Sequence, residues 1–421
     1  MVQRHGKSFA FSGAMATSDP EVVKTLLTHR PHTHLRSRWY QLVRTVFPGL
    51  RGLLFVDDAD WRPHAVAMMP GFKRSHVDGF STFVHGLTTD ALARWSGRPP
   101  ADLADELRHV GRALFIKAAC GLGPEDREGR ALGEALADWL DESEAPNTRL
   151  DQVGMGLREV LRFFINRRHT SRAAKVVRRR IARLVQAQGW RRPVDDDVPD
   201  PSWVAGLARA GSEDRAIADE LMHLYWAFDA LAFSFTACVL ELSRHPDLAS
   251  RVAEELQEWG SASGRSVPSR PDFPQIPLTQ AFILEVLRCH PATWTVARRL
   301  GEPMVVAGRT WPKGSEALIL MSALQRNPEV FDRPHEFDPD RWLRDPDLSR
   351  SFAFVPFLRG PRKCVGRHLA ETALTAFVAA VAAEFAVQVR PDHGRMTEFA
   401  VSRFADPLAL TVSRRSPATA A

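Results

Sequence analysis

The sequence predicts a mainly α-helical protein with small β-sheets, and two kinds of observation support this fold class. Apolar residues recur at helical spacing through four long stretches, 101–121, 127–140, 151–189 and 214–244. Short alternating runs are confined to 304–320 and 397–413, so the sheets are expected to be small and to lie in the C-terminal half.

The N-terminal half carries recognisable helix signals. Asp19 and Pro20 are typical of an N-cap and a first turn, which predicts a helix over 19–29. A second helix is predicted to start at Trp61 and run into a loop by Phe72. The stretch 151–189 has a strongly basic face, and the Pro- and Asp-rich stretch 191–201 indicates an exposed loop.

In the C-terminal half, proline marks the ends of helices. His245-Pro246 closes the helix that begins at Asp214, and another helix begins near Pro277 and ends before Pro291. We then expect a hairpin in 304–320, a long apolar helix in 364–386 and short strands in 397–413.

Composition limits the class of protein. The chain has 421 residues, 44% of them apolar and 25% charged, which is ordinary for a soluble globular protein. Its four cysteines have no paired spacing, which argues against a disulfide framework or a zinc ribbon and fits a reducing cytoplasm. We found no apolar run of about 18 residues and no signal-peptide core, so we expect a cytoplasmic protein without a transmembrane segment.

The net charge of +6 comes almost entirely from arginine. An arginine-rich surface can bind nucleic acid, but no nucleic-acid fold motif accompanies it, and we expect no nucleic-acid partner.

A ten-residue loop is the most informative stretch. It reads F-x-x-G-x-R-x-C-x-G, with Phe357, Gly360, Arg362, Cys364 and Gly366 at the fixed positions. A thiolate presented in this way can be the axial ligand of a haem iron, and the glycines let the backbone pass close to a flat cofactor. Arg362 can neutralise a haem propionate, and backbone N–H groups aimed at the sulfur would keep it a thiolate. The alternative is that Cys364 is a buried structural cysteine that precedes a helix.

This loop resembles the cysteine loop of the cytochrome P450 family of haem-thiolate monooxygenases, and the resemblance covers roughly residues 15–415. It implies a P450 fold, an α-rich triangular prism with a minor β region, in a single domain over residues 1–421. It also implies haem b (iron protoporphyrin IX) as cofactor, with Cys364 as the ligand of the metal.

A charge network supports the resemblance. Glu285 and Arg288 lie three residues apart on a predicted helix, and Arg341 follows in F-D-P-D-R-W. In the family, such residues form a buried network that holds the cysteine loop. Without that context, the first two would be read as an ordinary surface pair.

Further residues match the family's propionate ligands. Arg298 matches the propionate-binding arginine after the Pro291 turn, although the adjacent Arg299 could serve instead. Relatives often carry W-x-x-x-R in an earlier helix; here Trp61 is kept and Ala65 stands in place of the arginine. His64 or Arg62 could substitute, and the alternative for His64 is a solvent-facing helix position.

The predicted oxygen-activating helix departs from the family pattern A-G-x-[DE]-T. Counting back from His245-Pro246 aligns it with 226–230, Trp-Ala-Phe-Asp-Ala. Asp229 keeps the acid that would relay protons, whereas Ala230 lacks the hydroxyl that would order water near bound oxygen. Trp226, four residues before Ala230, is expected on the same helix face, where it would narrow the pocket and offer a flat surface to substrate. The alternatives are a register shifted by one residue, or a Trp226 that packs in the core.

These residues favour a monooxygenase that oxidises a small organic molecule with O2, and the unusual helix suggests a role in specialised metabolism. Electrons would come from a separate ferredoxin or flavodoxin type donor, steered by the basic residues near the loop, Arg359, Lys363, Arg367 and His368. The alternative is that these residues form only a solvated surface. Three alternatives remain open: a haem-thiolate enzyme for coupling, rearrangement or peroxide-driven oxidation, a haem protein without turnover, and a non-haem Cys364/His368 metal site.

Overall fold

The computed structural model describes residues 6–11, 13–29, 37–38, 40, 52–53, 55, 58–144, 157–191, 202–390, 396–398 and 401–415, with backbone alone at 58–60, 144, 157–170 and 397–398. Its helices, in chain order, are α1 (Pro20–Thr28), α2 (Asp58–Met68), α3 (Arg74–Asp78), α4 (Phe80–Gly97), α5 (Leu103–Cys120), α6 (Arg127–Glu144), α7 (Leu157–Ala187), α8 (Trp203–Arg209), α9 (Asp214–Arg244), α10 (Pro246–Ser263), α11 (Pro277–Cys289), α12 (Met321–Leu324), α13 (Asp340–Arg344) and α14 (Arg367–Glu384). Short 3-10 turns occupy Met69–Phe72, Arg270–Gln275 and Pro346–Arg350.

The strands are β1 (Ser8–Phe11), β2 (Ala14–Thr17), β3 (Thr295–Arg299), β4 (Met304–Val306), β5 (Arg309–Trp311), β6 (Glu316–Leu320), β7 (Phe385–Arg390), β8 (Met396–Glu398), β9 (Ser402–Phe404) and β10 (Ala409–Arg414). The largest sheet has the order β1-β2-β6-β3, and the remaining strands pair as β4-β5, β7-β10 and β8-β9. In the large sheet β2 and β6 are parallel, with Met15 opposite Ala317, while the other two pairs are antiparallel. The prediction of a mainly α protein with small sheets is confirmed, but the expectation that the sheets lie in the C-terminal half is wrong, because β1 and β2 of the largest sheet lie near the N-terminus.

Most of the predicted elements are present. The Asp19 side chain accepts from the backbone N–H groups of Glu21 and Val22, as the predicted N-cap requires. The bounds of α9 agree with the sequence prediction, because the His245-Pro246 step ends one helix and starts the next. The predicted 304–320 hairpin is β4-β5, whereas β6 leaves it and joins the large sheet. The predicted loop over 191–201 lies, beyond its first residue, outside the described residues.

Two apolar clusters form the core. The larger one joins the helices around α9, and the smaller one packs α1 against the large sheet through residues such as Met15, Leu26 and Ile319. Among the described residues, α9 alone has the length and hydropathy of a membrane span, and it is mostly buried in the protein, as a core helix would be. These packing contacts position α9 and the loop before α14.

Candidate active site

The cysteine loop is a tight turn held by backbone hydrogen bonds. Cys364 N donates to the Phe357 carbonyl oxygen at 2.8 Å, and Lys363 N donates to the Gly360 oxygen at 3.2 Å. Gly360 has φ +77°, and a Cβ there would lie 2.0 Å from the carbonyl oxygen of Leu27 in α1. Only glycine fits at this position, because both the backbone conformation and the contact exclude a side chain. Phe357 itself is half-buried and packs against the larger core cluster.

Cys364 differs from the other described cysteines in its accessibility. Its side chain is exposed, while the other cysteines are buried. Protein atoms nevertheless surround it, and this burial raises the pKa of the thiol, whereas hydrogen bonds from the backbone N–H groups of Gly366 and Arg367 lower it. Because α14 begins at Arg367, the positive end of the helix dipole also lies at the sulfur. The net effect of the surrounding protein atoms is to raise the pKa of the thiol, while the backbone N–H groups supply the donors that a metal-bound thiolate would use.

The predicted charge network is confirmed. Glu285 accepts from Arg288 Nε and Nη2 at 2.9 and 2.8 Å and from Arg341 Nε at 3.1 Å, and all three side chains are buried. Trp342 Nε1 and the Asp338 backbone N–H also donate hydrogen bonds to the Glu285 carboxylate, at 2.9 and 2.8 Å. A buried carboxylate saturated in this way holds α11 to the segment around α13.

Between residues 217 and 242, helix α9 is open at one place. Every residue of this stretch is buried apart from Trp226, Ala227, Phe228 and Ala230. At about 100° per residue, Trp226, Ala227 and Ala230 share one side of the helix. Phe228 points elsewhere, with its ring 5.1 Å from Phe115. The opening coincides with the stretch at which the count from His245-Pro246 placed the oxygen-activating site.

Trp226 packs partly against the core and partly borders that opening. Its ring stacks on Phe55 with centroids 6.1 Å apart and planes 10° from parallel. Both sequence interpretations of Trp226, a core residue and a pocket residue, therefore describe part of its position.

Asp229 lies on the flank of the open side and is bound by two arginines. Arg403 of β9 donates to Oδ2 from Nη2 at 2.7 Å and from Nε at 3.2 Å, and Arg108 of α5 donates to Oδ1 at 3.2 Å. A cavity of about 10 Å³ adjoins the three side chains, close to the lower limit for one water molecule. Neither arginine was predicted from the sequence, since nothing in their local sequence marks them as partners of Asp229.

Two arginines fit the predicted contacts to an anionic cofactor. Arg362 is buried, and its guanidinium carbon lies 4.8 Å from the Trp61 ring centre, so these two predicted residues come together. Arg298 is buried while Arg299 is half-buried, and this favours Arg298 over its neighbour. Burial lowers the pKa of Arg298, an effect that Tyr40 partly offsets through a hydrogen bond. Within the described residues the Arg298 Nε has no hydrogen-bond partner, which leaves a buried donor for an anion.

In the helix turn around Ala65, the imidazole of His64 is directed toward the interior and the guanidinium of Arg62 is not. Ala65 is buried, and Arg62 is exposed. His64 directs Nδ1 toward the buried carboxylate of Glu220 at 3.4 Å, so the predicted alternative of a purely solvent-facing residue is wrong. Contact between the rest of its ring and haem stays a prediction.

These features fit a flat anionic cofactor bound through a metal. One accessible cysteine has backbone donors at its sulfur, two buried guanidinium groups are available for carboxylates, and the neighbouring α9 has an open stretch. Within the described residues no cluster of three or more His, Cys, Asp and Glu side chains could hold a metal ion, which gives no support to the non-haem Cys364/His368 alternative.

Comparison with known proteins identifies the class. A family model described as Cytochrome P450 matches residues 149–407. The chain is 26% identical over 401 residues to "Pentalenene oxygenase" of Streptomyces avermitilis, covering 90% of this chain and 83% of the relative. It is 28% identical over 345 residues to "Cyclooctat-9-en-7-ol 5-monooxygenase" of Streptomyces melanosporofaciens, covering 79% and 72%.

Solved structures agree on the fold. "Retinoic acid bound cyanobacterial CYP120A1" matches with a TM-score of 0.80 at 17% identity, over 98% of this chain and 93% of the other. A six-coordinated cytochrome P450 from Thermus thermophilus matches with a TM-score of 0.70 at 21% identity, over 99% and 96%. The chain thus belongs to the cytochrome P450 family. It is an oxidoreductase of the monooxygenase type, with haem b as cofactor.

Proposed function

We propose that this monooxygenase oxidises an apolar, ring-containing molecule of the terpenoid type in specialised metabolism, with Cys364 as the axial ligand of the haem. The observation that carries this proposal is the open stretch of α9. The three residues on its open side, Trp226, Ala227 and Ala230, carry no charge and no hydroxyl, so they favour a hydrocarbon over a polar ligand. The names of two relatives, an oxygenase of pentalenene and a monooxygenase of cyclooctat-9-en-7-ol, support the same substrate class.

When bound, the haem supplies the activation of O2, and the protein positions it. Cys364 offers the thiolate, with the backbone N–H groups of Gly366 and Arg367 directed at the sulfur. Arg362, held against Trp61, and Arg298 would neutralise the two propionates. The buried Glu285 network keeps the surrounding segments in place.

We further propose that Asp229 relays protons from the surface toward the open stretch of α9. Its two oxygens are shared between Arg108 and Arg403, and a water-sized cavity adjoins it. Proton transfer would require one ion pair to open so that an oxygen can accept from water. Ala230 supplies no hydroxyl, so a substrate hydroxyl or a water must take that place in ordering the proton path.

The axial ligand is tested by the absorption of the reduced protein with carbon monoxide. We expect the long-wavelength Soret band of a thiolate-bound haem in the parent protein and its loss in Cys364→Ala. Cys120→Ala is the matched control, because Cys120 is buried in α5 away from the loop, and it should keep the band. A band at the histidine-ligated position in the parent protein would contradict the assignment.

The identity of the oxidant distinguishes the proposed monooxygenase from the main alternative. Ala230 at the position of the family's threonine favours, as a second candidate, an enzyme driven by peroxide or one that couples or rearranges its substrate. Product formation with a reductant and O2 supports the monooxygenase, and turnover with peroxide alone supports the alternative. Ala230→Thr should decrease the peroxide released per product, and unchanged coupling would contradict the proposed register.

A ferredoxin or flavodoxin type donor is proposed to dock beside the cysteine loop. Lys363 and Arg367 are exposed there, although Arg367 also pairs with Glu371 at 2.7 Å. Arg359 is less suitable as a probe, because it donates to the carbonyl of Ser349 at 2.8 Å and so helps to hold the loop. Reversing the charge of both exposed residues should slow reduction in a salt-dependent manner. Lys313→Glu, an exposed lysine in another loop, is the control and should leave the reduction rate unchanged.

We also propose that the whole chain forms one cytoplasmic P450 domain. The larger core cluster supports this, because it joins residues from Leu53 to Val412 in one contiguous apolar interior. Limited proteolysis that released a stable smaller fragment would contradict the single domain.

A further inference from the structure

Glu220 is a buried carboxylate that the proposed chemistry does not use. Its side chain has no exposure, and the Leu53 backbone N–H lies 3.1 and 3.2 Å from its two oxygens. His223 Nδ1 lies at 3.0 Å and His64 Nδ1 at 3.4 Å. A buried charge is stable only when hydrogen-bond donors surround it. Here donors from three separate parts of the chain contact the carboxylate of Glu220.

The carboxylate is ionised, so both imidazoles donate to it. Burial raises the pKa of Glu220, but hydrogen bonds from His223 and His64 outweigh burial and lower it to about 2. An ionised carboxylate only accepts hydrogen bonds, which fixes the proton of each ring on Nδ1. The cluster therefore joins α9, α2 and the backbone at Leu53 through charge-assisted hydrogen bonds.

The backbone of Gly52, Leu53 and Phe55 lies directly against this cluster. A Cβ at Gly52 would lie 2.5 Å from His223 Nδ1 and 2.7 Å from Glu220 Oε1, so no larger residue fits without moving the turn. Phe55 N closes the turn onto the Gly52 oxygen at 2.9 Å. The position of the turn is thus set by the carboxylate beneath it.

The turn carries Phe55 onto the open stretch of α9. Phe55 is buried, stacks on Trp226, and meets the His223 ring edge-on at a centroid distance of 5.6 Å. Trp226 in turn borders the opening beside Ala227 and Ala230. A shift of the turn would move the Phe55–Trp226 stack and so change the shape of the aromatic surface that a substrate meets.

We propose that Glu220 is a specificity-determining positioning residue: by fixing the turn at Gly52 and Phe55, it holds the Phe55–Trp226 stack as a rigid wall that selects ring-fused hydrocarbons over flexible linear ones. We expect this selection because a ring-fused hydrocarbon loses less conformational entropy than a flexible linear one when it binds to a fixed flat surface. The substrate part of this inference rests on the proposed function, whereas the positioning part does not.

The test compares two carboxylate-to-amide changes on adjacent residues of α9 in the haem-loaded protein. Glu220→Gln places an amide donor against the existing donors, while Asp219→Asn alters a similarly buried carboxylate that pairs with Arg178 at 2.7 Å, away from the turn. The probes are pentalenene and n-pentadecane, with affinities measured from the Soret shift. Hydrogen exchange of the peptide that contains Leu53 reports the position of the turn.

The parent protein should bind pentalenene more tightly than n-pentadecane. Glu220→Gln should reduce that ratio by about tenfold, the equivalent of one charge-assisted hydrogen bond, and accelerate exchange at Leu53. Asp219→Asn should leave the affinity ratio and the exchange rate at Leu53 unchanged. Should Glu220→Gln fail to fold, Phe55→Leu removes the stack without altering the charges, and it should reduce the ratio while leaving exchange at Leu53 slow.

Two results would overturn the inference: unchanged selectivity in both Glu220→Gln and Phe55→Leu, or unchanged exchange at Leu53 in Glu220→Gln. If the parent protein binds neither hydrocarbon, the proposed substrate class is wrong. The exchange measurement then still decides whether Glu220 positions the turn.

Discussion

Replacement of Glu285 by glutamine should destabilise the protein strongly although the two side chains have nearly the same shape. Glu285 accepts five N–H bonds, two from Arg288 and one each from Arg341, Trp342 and the Asp338 backbone. Glutamine offers one acceptor oxygen, turns an NH2 group toward the remaining donors and leaves two buried guanidinium groups without their counter-charge. Removal of one partner from a buried ion pair costs about 3–5 kcal/mol, and we expect a loss in this range.

Equilibrium urea unfolding of the haem-loaded protein, followed by the Soret band and by far-UV circular dichroism, measures this loss. Glu336→Gln is the matched control, because Glu336 lies in the same region but its side chain is mostly exposed and pairs with Arg333 at the surface. It should behave like the parent protein. A loss below about 1 kcal/mol in Glu285→Gln would refute the reasoning, since it would mean that the arginines find other compensation.

Three further outcomes are expected. Gly360→Ala should weaken haem retention, because φ is +77° and the new Cβ would collide with the Leu27 oxygen; Gly86→Ala, at a helix position with open space, should be tolerated. Arg298→Ala should accelerate transfer of haem to apomyoglobin, and Arg298→Lys should restore part of the retention; equal rates for all three proteins would exclude the propionate contact. Glu220 has a folded-state pKa of about 2, below the ordinary 4.5, so its contribution to stability is present above pH 4.5 and is lost as the pH falls toward 2. The stability difference between the parent protein and Glu220→Gln should therefore narrow below pH 4.5, and a difference that stays constant would contradict the assigned pKa.

Local sequence patterns predicted the parts of the site that local geometry determines. The loop around Cys364 lies within ten residues, so its spacing alone was enough to place it, whereas the Glu285–Arg288 pair needed the family context as well. The bounds of α9 were also accessible, because His245-Pro246 fixes the end of the helix.

Contacts between distant segments could not be predicted in this way. Arg403 and Asp229 are 174 residues apart, and Leu53 and Glu220 are 167 apart, so no periodicity links them. The helix α4 was missed for another reason: its buried face includes the polar residues Ser81 and Thr88, which weakens the apolar stripe. The strands β1 and β2 are likewise too short for an alternating apolar pattern to be recognised. Their place in one sheet with β6 could therefore not be predicted.

The uneven burial of α9 has a consequence for altering the enzyme. Within 217–242 the residues other than Trp226, Ala227, Phe228 and Ala230 are committed to the interior, so most substitutions there would disturb folding before they changed selectivity. Ala227 and Ala230 make no ring contact of this kind, whereas Trp226 stacks on Phe55 and Phe228 contacts Phe115. A combinatorial library restricted to Ala227 and Ala230 would explore the contribution of this helix to substrate choice and still yield mostly folded proteins.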